Sequence, residues 1–157
     1  MEHHGRDTET QIFFYEADFY IFSNFSAFNL WWKGLLFQTS EAAYQSEKFR
    51  ECDWGIFWRI QSAPSAHEAF KIAERAKHRR RPDWNEVNTK IMKEILREKV
   101  HQHEYVKRKL LASGTRELIE DSWRDDYWGW GPNKDGHNAL GKLWMEIREE
   151  LRHGRPL

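Results

Sequence analysis

Beyond residue 40 the apolar residues of this chain recur mostly at helical spacing, whereas the segments before it are short, aromatic and broken by turn residues. That switch of period constrains the fold more than any other feature, because side chains three and four apart share a helix face while strands need alternation. The stretch NALGKLWMEIREEL sets Leu140, Leu143, Trp144, Ile147 and Leu151 on one stripe, with Asn138 as a natural cap and Gly154 and Pro156 beyond. WNEVNTKIMKEILREKVHQ places Val87, Ile91, Ile95 and Leu96 at the same spacing, and EYVKRKLLASG continues to a stop at Gly114. After a break at Pro64, Ser65 and Glu68 form an S-x-x-E capping box that opens a helix through AFKIAERAK. Thr39 or Ser40 caps another helix over roughly 41 to 51, with Glu41 in the first turn, where its charge favours the helix dipole.

The earlier segments carry strand signals. IFFYEADFYIFSNF reads as one or two short strands ending near Ser23 and Asn24, and LWWKGLLFQ as a hairpin turning at Lys33 and Gly34. RELIEDS suits a short strand or an extended arm. The expected fold is α+β and predominantly helical: a loose polar tail over residues 1–11, then a single compact domain over 12–157 with a few short strands. A chain of 157 residues can bury such a core without disulfides or a structural metal. Cys52 is the single cysteine, and neither a signal peptide nor a long apolar run is present, so a cytoplasmic protein without a membrane partner is expected. Twenty-five basic residues balance twenty-five acidic ones, so any nucleic-acid partner must be recognised locally rather than by net charge.

Several chemistries find no support. His101 and His103 diverge on a helix, and one cysteine with scattered histidines gives no metal-ligand spacing. No nucleophile elbow, Walker loop or G-x-G-x-x-G occurs, and Cys52 is expected as a small core residue. GWGPNKDG ends at a helix start, where backbone amides could face an anion. Of the nine tryptophans, Trp84, Trp128 and Trp130 lie in turn-like sequence, where a ring can wall a planar ligand as well as fill a core. KIAERAKHRRR holds six Lys or Arg against one Glu; it is either a solvated helix end or a phosphate clamp in which Arg79, Arg80 or Arg81 chelates oxygens bidentately.

TSEAAYQSEKF, residues 39–49, is the most informative polar stretch. Glu41, Tyr44, Gln45 and Lys48 are spaced to share one helical face, which makes that face either solvated surface or the wall of a site. Glu41 and Lys48 are two turns apart, about 10 Å along the axis, too far for a routine one-turn ion pair. Tyr44 and Gln45 lie in the gap, where they could hydrogen-bond a ligand.

FSNF at 22–25, TSEAAYQSEKF at 39–49, RPDW at 81–84, DDYWGWG at 125–131 and NALGKLWMEIREEL at 138–151 together resemble the YbiA-like, or NADAR, family, in order and register from about residue 12 to 151. The resemblance implies a compact, mainly helical α+β domain that cleaves N-glycosidic bonds without a cofactor. Its substrates would be either phosphorylated ribosylaminopyrimidine intermediates of riboflavin biosynthesis or ADP-ribose on guanine bases. The partner is then a nucleotide-like small molecule or an ADP-ribosylated nucleic acid.

By the same resemblance Glu41 matches the catalytic glutamate, Lys48 the lysine closing that helix motif, and Trp84 the tryptophan of the middle block. Asp125, Trp128, Gly129 and Asn138 match the D-x-x-W-G block and the final-helix cap. Trp130 stands where a small or polar residue is expected between the two glycines. Lys48 would polarise a ribose hydroxyl or attack C1′ as an amine, and Asp125 would orient a ribose hydroxyl or protonate the leaving base. Ser23 and Asn24 would line the ribose side, Trp84 and Trp128 would stack on rings, and the arginines of 79–81, Arg79 and Arg81 among them, would hold phosphate, with Tyr44 a further substrate-binding residue. The alternative function is a noncatalytic ADP-ribose or nucleotide-binding module.

Overall fold

The computed structural model describes residues 7–14 and 21–154. Part of the expected tail and the middle of the first strand segment, residues 15–20, lie outside them. Six α-helices and four short strands stand among the described residues, which makes the fold α+β and predominantly helical. The chain divides into two compact units, Asn24–Gln102 and a second built from both ends of the chain, Met1–Ser23 with His103–Leu157.

The first unit begins with a hairpin of β2 (Leu30–Trp32) and β3 (Leu35–Phe37), antiparallel with Trp31 opposite Leu36. Lys33 and Gly34, the two turn residues, both have positive φ, +48° and +81°. Two consecutive left-handed residues give the turn twist that matches a two-residue hairpin, and glycine takes one at no steric cost. The helix α1 (Ser40–Glu47) follows, capped by the Thr39 side chain, which accepts from the Ala42 amide at 3.1 Å. It stops four residues short of the expected end at 51: Lys48 caps it, and Glu51 is left-handed at φ +64°.

Three further helices pack with α1 or the hairpin: α2 (Trp54–Gln61), α3 (Ala66–Arg75) and α4 (Trp84–Gln102). Ser65 caps α3 as expected, accepting from the Glu68 amide at 3.1 Å. The hairpin and α1 are joined through Glu47, whose fully buried carboxylate accepts from Trp32 Nε1 at 2.8 Å and Arg50 Nε at 2.7 Å, with Lys33 Nζ 3.3 Å away. A buried charge survives only when paired and hydrogen-bonded in this way.

In the second unit β1 (Gln11–Phe14) pairs in parallel with β4 (Glu117–Glu120), so RELIEDS does contain a strand. The helices α5 (Glu104–Ala112) and α6 (Ala139–Arg152) complete it, and Gly114 follows α5 at φ +67°. Trp144, fully buried in α6, donates from Nε1 to the Phe22 carbonyl at 2.9 Å. Asn138 immediately precedes α6, but its side chain does not cap the helix. Instead Nδ2 donates to the Leu118 carbonyl at 2.8 Å and Oδ1 accepts from the Glu120 amide at 2.9 Å. One amide side chain thus hydrogen-bonds backbone groups of β4 that a further strand could otherwise have served. No helix among the described residues is long and apolar enough to cross a membrane.

Candidate active site

The polar stripe on α1 is not a solvated face. Every residue of α1 is buried, with Glu41 6% and Gln45 3% exposed. Gln45 Nε2 donates to Glu41 Oε1 at 2.7 Å, a bond that the i, i+4 spacing brings about. An ionised carboxylate can only accept, so the amide must turn its nitrogen toward Glu41 and its oxygen away. Gln45 Oε1 is buried with no hydrogen-bond partner among the described residues. Buried polar atoms are nearly always satisfied, so such an oxygen calls for an explanation.

The start of this helix is held by Asn24. Its carbonyl accepts from the Glu41 amide at 3.0 Å, its Oδ1 accepts from Ser40 Oγ at 2.9 Å, and its Nδ2 lies 3.3 Å from Met92 Sδ of α4. Expected as a sugar-lining residue, Asn24 spends its side chain on fixing where Glu41 begins the helix.

At the other end of the stripe, Lys48 Nζ lies 5.7 Å from the ring centroids of both Tyr44 and Trp84, whose rings are 5.0 Å apart and tilted by 55°. Trp84 is not in a turn: it opens α4 and is 3% exposed. Burial holds the Lys48 amine below the usual lysine range; Glu41 opposes that shift, Arg80 adds to it, Glu74 opposes it and Lys77 adds to it. The aromatic faces also favour the cation, so the lowering reflects desolvation winning over several attractions. Glu41, Tyr44, Gln45, Lys48 and Trp84 therefore form one constellation, with Glu74, Lys77 and Arg80 acting on the Lys48 charge. Glu74 and Lys77 were not singled out from sequence, although the charge density of KIAERAKHRRR was the available signal.

The arginines expected to hold phosphate have acidic partners in this structure. Arg79 Nη2 meets Asp53 at 2.6 Å. Arg81 forks onto Asp83 at 2.6 and 2.9 Å, and its backbone amide donates to the Lys48 carbonyl at 2.7 Å. The fork raises the Arg81 pKa and lowers that of Asp83. Cys52 is exposed rather than part of the core, with Sγ 3.4 Å from the Lys48 carbonyl. Burial and Asp53 push its thiol up, the opposite of what an activated nucleophile needs. Among the described residues no group of three or more His, Cys, Asp or Glu is placed to hold a metal ion.

The remaining candidates belong to the second unit. Ser23 is buried there. Asp125 Oδ1 accepts from the Tyr127 and Trp128 amides at 2.9 and 2.8 Å, an Asx-type bond that shapes the loop. The Gly129, Tyr127 and Trp128 carbonyls in turn accept from the amides of Asn138, Ala139 and Leu140 at 2.9, 2.8 and 3.1 Å. The helix start that the sequence offered for an anion thus has these three amides occupied by its own loop. Gly129 lies so close to the backbone that a Cβ would stand 2.7 Å from the Glu120 carbonyl. Trp130 packs on Phe13 with ring centroids 5.0 Å apart and donates to Asp121 Oδ1 at 3.0 Å, while Trp128 is half-buried and lies edge-on to Tyr127.

This α+β fold thus brings a buried carboxylate, an amide and a desolvated lysine together along one helix. The chain belongs to the NADAR domain family, whose sequence profile matches residues 13–152 and so runs through both units. It is 36% identical to an N-glycosidase of Nostoc punctiforme over 145 residues, covering 90% of this chain and 93% of that protein. With the N-glycosidase YbiA of Escherichia coli it shares 32% identity over 151 residues, covering 96% and 93%. The NMR structure of E. coli YbiA superposes with a TM-score of 0.83 over 94% of this chain and 88% of that one. A riboflavin biosynthesis protein of Vibrio vulnificus is 34% identical over 150 residues, but the chain spans 40% of its length.

Proposed function

We propose that this chain is a hydrolase of N-glycosyl compounds that cleaves the C1′–N bond of a phosphorylated ribosyl substrate, with Glu41 as the catalytic carboxylate. The observation that carries this reading is the buried Glu41–Gln45 pair on α1, beside a lysine that is partly buried against two rings. Departure of the base leaves positive charge on C1′, and a carboxylate fixed in a water-poor wall stabilises that charge far better than one in water. Glu41 also positions or deprotonates the attacking water: the C1′–N bond breaks, a C1′–O bond forms, and the base takes up a proton.

Lys48 serves in one of two ways: it polarises a ribose hydroxyl, or its free amine attacks C1′. In that attack a C–N bond forms as the C1′–N bond to the base breaks and the base leaves with a proton, after which the sugar ring opens to a Schiff base that water hydrolyses. The lowered pKa of Lys48 supports the attack, because only the unprotonated amine is a nucleophile. Arg80 and Lys77, the cations that act on Lys48, are suited to receive the substrate phosphate. Arg79 and Arg81 would join them only by exchanging their carboxylates. The names of the relatives support the reaction class, N-glycosidase, and one of them names riboflavin biosynthesis.

The test is release of free base, followed by mass spectrometry, from a guanine-ADP-ribosylated oligonucleotide and from a ribosylaminopyrimidine phosphate. Release from one of them identifies the substrate. Binding without release from either would favour a noncatalytic nucleotide-binding module.

A further inference from the structure

Gln45 has its amide nitrogen engaged and its amide oxygen not. Its Nε2 donates to Glu41 Oε1 at 2.7 Å, while its Oε1 is buried without a partner among the described residues. The side chain is only 3% exposed, so this is not an atom left to solvent. Leaving a buried carbonyl oxygen unpaired costs stability, and an apolar residue of similar shape would avoid that cost at once. The nitrogen alone gives no reason for the oxygen.

We infer that Gln45 is a specificity-determining residue that accepts a hydrogen bond from the C2 hydroxyl of the substrate ribose while its nitrogen holds Glu41 in place. The inference rests on the reading of Glu41 as the carboxylate that faces C1′. Both amide heteroatoms of Gln45 sit on one carbon, so the oxygen, though turned away from Glu41, stays within one amide group of the bond that Nε2 makes to Glu41 Oε1. A sugar with C1′ against Glu41 presents its neighbouring hydroxyl, on C2, to that oxygen. The hydroxyl donates and the carbonyl accepts, a match that the carboxamide offers and a lysine does not. Hydrogen bonds to the hydroxyl beside the reacting carbon also strengthen as positive charge develops at that centre. Gln45 would therefore choose ribosyl over 2-deoxyribosyl ligands and keep Glu41 oriented through the reaction.

The experiment measures binding of ADP-ribose, and of its analogue lacking the C2 hydroxyl on the terminal ribose, by titration calorimetry. It compares the native chain with Gln45→Met, which keeps length and removes both polar atoms, and with Gln45→Glu, which keeps an acceptor. The native chain should prefer ADP-ribose by about tenfold or more, the scale of one buried hydrogen bond. Gln45→Met should bind both ligands alike, and Gln45→Glu should restore the preference while lowering kcat, because two carboxyl groups this close share a proton and Glu41 is no longer held fully ionised. A native chain without preference, or Gln45→Met with the preference intact, overturns the inference. Should Gln45→Met fail to fold, loss of the preference in Gln45→Glu overturns it and retention upholds it. If the native chain discriminates through Gln45 but releases no base, the inference stands and the hydrolase reading falls. If it binds neither ligand, the inference falls, while the hydrolase reading is still decided by base release from the ribosylaminopyrimidine phosphate.

Discussion

At the scale of single residues the decisive fact is that Glu41, Tyr44 and Gln45 of one short helix are withdrawn from water, with Lys48 at its end partly so. The spacing of Glu41, Tyr44, Gln45 and Lys48 was legible in the sequence, because a helical face follows from residue separation alone. Whether that face was wet was not legible, since burial depends on Asn24, Trp84 and α4, which come from distant parts of the chain. Lys48 carries the first prediction. Its folded-state pKa is below its unfolded value, so at a given pH above the lowered pKa more of it is the neutral amine than at an exposed lysine. If it attacks C1′, borohydride added during turnover should trap a covalent adduct that peptide mass spectrometry places on Lys48. Turnover with no adduct would leave it the hydroxyl-polarising role.

At the scale of elements, turns and caps were legible where the chemistry is local. Lys33-Gly34 makes the hairpin and Ser65 caps α3, because each needs only neighbours in sequence. The end of α1 was misplaced because residues 48–51 retain side chains compatible with a helix; the amides of Lys48 and Phe49 turn to the carbonyls three residues back, at 3.2 and 3.0 Å, and Glu51 is left-handed beyond them. Asn138 was expected to cap α6 and instead hydrogen-bonds β4, a partner 18 and 20 residues upstream. Asn138→Ala should thus strip partners from the Leu118 carbonyl and the Glu120 amide, at about 1–3 kcal/mol per group left unsatisfied. Gly129→Ala should cost on the order of 1–3 kcal/mol by overpacking against the Glu120 carbonyl. Chemical denaturation checks both, and an unchanged midpoint in either would remove its structural role.

At the scale of the whole molecule, the α+β class followed from the switch of hydrophobic period, while a charge in the core did not. Lys99, fully buried in α4, donates to Ser26 Oγ at 2.9 Å and lies 5.4 Å from the Phe28 ring centroid; burial brings its pKa down to about 7. It follows Ile91 and Ile95 on the same stripe, a signal that was present in the sequence. The unfolded chain binds the Lys99 proton up to about pH 10.5 and the folded chain only up to about pH 7. Between those values the unfolded state holds more protons, so this group makes stability rise with pH across that window. Lys99→Met should flatten that rise in urea midpoints measured from pH 7 to 10, and an equally steep rise in the variant would refute the assignment. The hydrolytic role of α1 is tested most directly by the turnover of Glu41→Gln measured beside its thermal unfolding. A melting temperature near the native one with turnover reduced about 100- to 10,000-fold, the usual worth of a positioned acid or base, is the expected result. Native-like melting with native-like turnover would contradict it.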